Sequence, residues 1–139
     1  MALTGDNEKL IRLVSQLDSV GEVPKEARAH LASIALHRVL VGFSRSREPM
    51  GTAWKPLLYR KGGRPLVDTG KLRGSLRARV TSDGFEISTS VPYAKHHQFG
   101  APKANVPARP FLPREGELPP SWRAAFERVI DHALVMHFR

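Results

Sequence analysis

The chain has 139 residues, 41% of them hydrophobic, no cysteine and a formal net charge of +9. This length is most simply one domain, residues 1–139, with an ordinary core, and the apolar content excludes wholesale disorder. Without cysteine there are no disulfides or thiolate metal sites, which fits assembly in a reducing cytoplasm.

Residues 6–18 predict a first helix, with Leu10, Leu13, Val14 and Leu17 at helical spacing and Thr4 or Asp6 as its cap. A second, longer helix opens at Pro24, a residue tolerated at the first helical position. Its apolar stripe runs through Ala27, Leu31, Ile34, Ala35, Val39 and either Leu40 or Phe43. The two helices are expected to pair antiparallel.

Residues 44–67 change character, with arginine, lysine, glycine and proline throughout, and predict a flexible basic loop. A loop this long in a small domain is often functional. Its apolar anchors are Trp54, Leu57, Leu58 and Tyr59. A short helix follows over 68–76, capped by Asp68 or Thr69.

Residues 77–81 and 85–90 alternate apolar and polar, and Asp83-Gly84 between them signals a tight hairpin. Leu76, Ala78 and Val80 alternate with Arg77, Arg79 and Thr81, and Phe85, Ile87 and Thr89 with Glu86, Ser88 and Ser90, so one face of the hairpin is expected to pack on the helices and the other to lie outward. Residues 93–99 predict one or two helical turns closed by Gly100. Residues 101–120 form a proline-rich, extended arm. A last amphipathic helix, capped by Ser121, runs to about His137, with Trp122, Ala125, Phe126, Val129, Ile130, Ala133 and Leu134 on its apolar face. Strands that cluster rather than alternate with helices indicate α+β, with helices packed on a small antiparallel sheet.

The charge is unevenly placed. Residues 1–43 carry five basic and five acidic residues, residues 44–80 ten against two, and residues 81–139 seven against six. The basic segment favours a polyanion or an acidic protein surface, and a solvated loop weighs equally against that reading. Trp54 and Tyr59 among Arg60, Lys61 and Arg64 could stack on bases while the cations meet phosphates. No helix-turn-helix, zinc finger or stacking-sheet signature accompanies them, so any DNA contact would be nonspecific.

Enzyme chemistry has little footing. No serine sits in a nucleophile elbow, carboxylates are scattered, and Gly62-Gly63 is too short for a phosphate loop. His96 and His97, with His30 or His37, are the best metal candidates. Adjacent helical residues point about 100° apart, however, so one core histidine and one surface histidine is the favoured arrangement. No catalytic residue, metal or cofactor is expected. The start of the chain lacks the pattern of a signal peptide, and no apolar run approaches the roughly 20 residues that span a bilayer. A soluble protein with no membrane partner is expected.

Five blocks in order carry a resemblance. They are Gly51-Thr52-Ala53-Trp54-Lys55-Pro56-Leu57, Leu66-Val67-Asp68-Thr69-Gly70-Lys71-Leu72-Arg73-Gly74-Ser75, Tyr93-Ala94-Lys95-His96-His97-Gln98-Phe99-Gly100, Val106-Pro107-Ala108-Arg109-Pro110-Phe111-Leu112, and the closing amphipathic helix. Together they resemble the phage virion-morphogenesis or tail-completion proteins, over about residues 24–135. Pro113 stands where the family often has glycine, which affects only a local turn.

The resemblance implies a non-enzymatic structural protein of a tailed phage or prophage. It would be made in the bacterial host cytoplasm and built into the tail end or neck of the virion. It implies a homo-oligomeric ring, hexameric in kind, between the tail tube or tail terminator and the head connector, which makes the tail competent to join a DNA-filled head. In that role Asp68, Thr69, Gly70 and Leu72 would shape and fasten the short helix, and Tyr93, Gln98, Phe99 and Gly100 would seat the strand exit against the body. Arg109, Pro110, Phe111 and Leu112, with Trp54 and the basic Arg60, Lys61 and Arg64, would meet partners. The rival reading is a small nonspecific nucleic-acid-binding protein.

Overall fold

The structure, a computed structural model, describes residues 2–7, 10–14, 25–55, 70–82, 84–101, 103, 107–113 and 118–137. Strands β1 (Ala2–Asn7) and β2 (Leu10–Val14) come first, then helix α1 (Lys25–Arg45). Helix α2 (Lys71–Ser75), strands β3 (Arg77–Val80) and β4 (Phe85–Thr89), helix α3 (Ala94–Phe99) and helix α4 (Pro120–His137) complete the order. The fold is α+β, as the clustering of strands indicates.

The expected first helix is replaced by two strands, and so is the expected helix pair. The sheet is antiparallel in the order β1-β2-β4-β3. With β3 on one side of it, β4 offers an open ladder on the other, and residues 10–14 fill it in the register Ile11↔Thr89 through Val14↔Glu86. A strand edge is a row of unmade hydrogen bonds, and β-branched Ile11 and Val14 suit a ladder as well as a helix. Local spacing is compatible with both forms, and the neighbouring edge decides between them.

α1 supplies the long core stripe. Ala27, Leu31, Ala35, Val39 and Phe43 are buried, while Ile34 and Leu40 are partly covered, so Phe43 holds the last core position. Pro24 lies outside the described residues. α1 packs across β3 and β4 and against α4, where Phe85 meets Phe126 edge-on at 5.8 Å between ring centres. Trp122, Phe126 and Ile130 bring α4 into the same core.

α4 begins at Pro120, so Ser121, expected as its cap, lies within its first turn. The amides of Trp122 and Arg123 both donate to the Pro119 carbonyl, which puts Pro120 at the first helical position, where a missing N–H costs nothing. At α2 the cap position falls to Gly70, whose φ of 67° is left-handed, and no side chain caps the helix. Asp68 and Thr69, expected as caps, lie outside the described residues.

The hairpin forms with Arg77↔Ser88 through Val80↔Phe85 in register. Its expected inner and outer faces are not cleanly divided, because Phe85, Glu86, Ile87 and Thr89 are all buried. β4 has strands on both edges and cover on both faces. The Glu86 carboxylate is met by its cross-strand partner Arg79 at 2.6 Å.

Candidate assembly surface

The loop expected over 44–67 begins inside α1 and then turns back in an ordered way. Ser46, at φ 52°, ends the helix in the left-handed conformation, and the Arg47 amide donates to the Gly42 carbonyl at 3.0 Å. A Cβ on Gly42 would lie 3.0 Å from the Arg47 carbonyl oxygen, so this close turn favours glycine. Glu48 and Gly51 close a reverse turn, and the Trp54 amide donates to the Ser46 carbonyl at 2.8 Å. The chain thereby returns Trp54 to the helix end, edge-on to Phe43 at 5.4 Å. Residues 56–67, with Arg60, Lys61 and Arg64, lie outside the described residues.

Trp54 is the first grip on the proline-rich arm. Its indole Nε1 donates to the Pro110 carbonyl at 2.8 Å, and Arg109 Nε donates to the Lys55 carbonyl at 2.7 Å. α3 supplies the second grip. The Arg109 amide donates to the His97 carbonyl at 2.7 Å. Gln98, 1% exposed, accepts through Oε1 from the amides of Phe111 and Leu112 at 3.0 Å each and donates through Nε2 to the Leu112 carbonyl at 2.9 Å. One amide side chain thus completes three backbone hydrogen bonds that no strand provides, as buried peptide groups require.

The arm segment expected to meet a partner is therefore packed into its own chain. Arg109, Pro110, Phe111 and Leu112 are all buried, and Phe111 lies 5.6 Å from Phe43. An arm of prolines has few hydrogen bonds of its own, so Trp54 and Gln98 can hold it as one more layer of the core. Leu72 is buried and fastens α2, and Gly100, at φ 79°, ends α3. Tyr93 is partly buried against the core.

Phe99 departs from the expected seating. It is 58% exposed, one residue beyond fully buried Gln98. The 100° step between neighbours on a helix sends one side chain in and the next out. The resemblance implies an inward seat for both, since the motif block treats them as one unit. Only the polar Gln98 has hydrogen-bonding partners inside.

His96 is exposed and His97 half-buried, with its ring edge-on to Tyr93 at 5.5 Å. Among the described residues the buried His97 Nδ1 has no hydrogen-bond partner, unlike the hydrogen-bonded core histidine that the favoured arrangement of the pair implies. Burial, then the Arg109 and His96 charges, lower its pKa from the ordinary 6.5. A depressed folded pKa means that the unfolded chain binds more protons as pH falls. This part of the stability is present above about pH 6.5 and lost as pH falls through the folded value. His97→Gln should thus lose less melting temperature than the parent between about pH 7.5 and pH 5. Equal losses in the two proteins would show that another group governs acid sensitivity.

Among the described residues no three His, Asp or Glu side chains gather to hold a metal, and no helix is long and apolar enough to cross a membrane. The described cations of 44–80, namely Arg45, Arg47, Lys55, Lys71, Arg73, Arg77 and Arg79, are all exposed. The surface therefore presents a broad basic field with an isolated aromatic side chain, around a tightly fastened interior.

The sequence pattern of the phage virion morphogenesis family matches residues 6–134, nearly the whole chain. The chain is also similar to Mu-like prophage FluMu G protein 2 of Haemophilus influenzae, at 43% identity over 65 residues. That match takes in 43% of this chain and 46% of the relative, so the chain spans about half the length of the curated protein it resembles. No solved structure matches it.

Proposed function

We propose, from the premise that the chain belongs to the phage virion morphogenesis family, that it completes the tail of a tailed phage or prophage and joins it to the head. In this reading it is a structural component of the tail end or neck, with neither catalysis nor cofactor. It assembles in the bacterial host cytoplasm as a ring-like homo-oligomer, hexameric in kind, and stays in the virion. The tail tube or tail terminator lies on one side and the head connector on the other.

The family match over residues 6–134 carries this reading. The geometry is in keeping with it. Trp54 and Gln98 tie the arm to the blocks at 51–57 and 93–100, while Phe99 stays outside as an apolar side chain open to contact. An arm already hydrogen-bonded to its own chain does not have to be ordered on binding.

The rival, a nonspecific nucleic-acid binder, draws on the exposed cations between Arg45 and Arg79. Light scattering of the purified chain, with and without duplex DNA at two salt concentrations, separates the two readings. A discrete oligomer indifferent to DNA is the expected result. A monomer that binds DNA with a steep salt dependence would replace the tail reading with its rival.

A further inference from the structure

A groove of about 770 Å³ opens between α1, the turn after it and the start of α4. Its α1 wall includes the stripe Ile34, Arg38, Val41 and Arg45, in which apolar and basic residues alternate, flanked by His30, Ser33, His37 and Gly42. Spacings of four, three and four residues keep these side chains on one helix face, and the two arginines stand about 10.5 Å apart along the axis. Trp122, 4% exposed, lines the opposite side.

The groove is positively charged. Arg38, Arg45 and Arg47 face it against a single carboxylate, Glu48. Arg47 is engaged with the Gly51 carbonyl at 2.7 Å. Among the described residues neither Arg38 nor Arg45 makes a hydrogen bond or ion pair.

We propose that this groove receives an acidic amphipathic helix of a partner protein. Carboxylates seven residues apart on such a helix match Arg38 and Arg45, an apolar residue between them reaches Val41, and another one turn beyond the carboxylate on Arg38 reaches Ile34. Nucleic acid fits less well. A phosphate chain has nothing to place on Ile34 and Val41, and Trp122 is too covered to stack on a base. The proposal rests on the assembly reading and names the chemistry of one partner.

The test uses the full chain and a labelled synthetic helical peptide with glutamates seven residues apart and leucine between them, followed by fluorescence anisotropy at about 150 mM salt. Arg38→Glu with Arg45→Glu should weaken binding about tenfold or more, since two ion pairs become repulsions. Lys71→Glu with Arg77→Glu changes the net charge equally but lies away from the groove, and should leave the affinity within about twofold. Thermal melts confirm that each variant folds, and Arg38→Gln with Arg45→Gln serves if the reversal does not. Failure of the parent to bind, equal weakening in both pairs, or displacement of the peptide by short duplex DNA would overturn the groove assignment. A chain that forms its oligomer and completes tails, yet shows no groove-dependent peptide binding, overturns the groove alone and leaves the assembly reading standing.

Discussion

Gln98→Ala should lower the melting temperature by about 10–15 °C, corresponding to a loss of about 3–5 kcal/mol. Three arm groups lose their partner at once, the amides of Phe111 and Leu112 and the carbonyl of Leu112. Each buried group left unsatisfied costs about 1–3 kcal/mol, and entering water offsets part of the total. The truncation also leaves a void beside fully buried Leu112. Gln98→Met separates these causes, because it keeps the volume and removes the hydrogen bonds. Its stability should fall almost as far as that of Gln98→Ala. A methionine variant within about 1 kcal/mol of the parent would show that filling space, not satisfying the arm, is what Gln98 does.

The adjacent substitution should do the reverse. Phe99→Asp is expected to change stability by no more than about 0.5 kcal/mol, because the ring is 58% exposed and sits at the last position of α3. Its expected effect is on assembly. Under the proposed assembly role, a phage lacking this chain and supplied with the variant should give far fewer infectious particles than with the parent chain. An aromatic anchor at an interface centre contributes about 2 kcal/mol or more, and in the proposed ring that loss would recur at each subunit contact. An aspartate there adds an uncompensated charge to the lost apolar contact. Phe99→Leu should recover most of the yield. Full complementation by the aspartate variant would remove Phe99 from the interface and leave its exposure without a role.

These two neighbours also mark how far residues alone could be read. The block 93–100 identified a short helix closed by glycine, and the structure has α3 with Gly100 at φ 79°. Spacing could not say which of Gln98 and Phe99 points inward. That depends on where the arm crosses the helix, and the arm lies 13 and 14 residues further along the chain. The same holds for Arg109, Phe111 and Leu112. Prolines with an arginine and an aromatic make a good docking sequence, and here the docking site is Trp54 and Gln98 of the same chain.

What the sequence determined by itself is everything set by local period and local backbone preference. The long stripe of α1, the β3–β4 hairpin, the amphipathic face of α4 and the turn at Gly100 belong here, since each depends on residues close in the chain. The α+β class and the family resemblance follow from their order. Tertiary structure decided the rest. Residues 10–14 became a strand because β4 had an open edge to fill, and Glu86 was buried because β4 became central. The Arg38 and Arg45 groove exists only because the turn after α1 and the start of α4 come together beside that helix face. Periodicity reports which side of an element is apolar, whereas hydrogen-bond partners and cover come from segments far away in sequence.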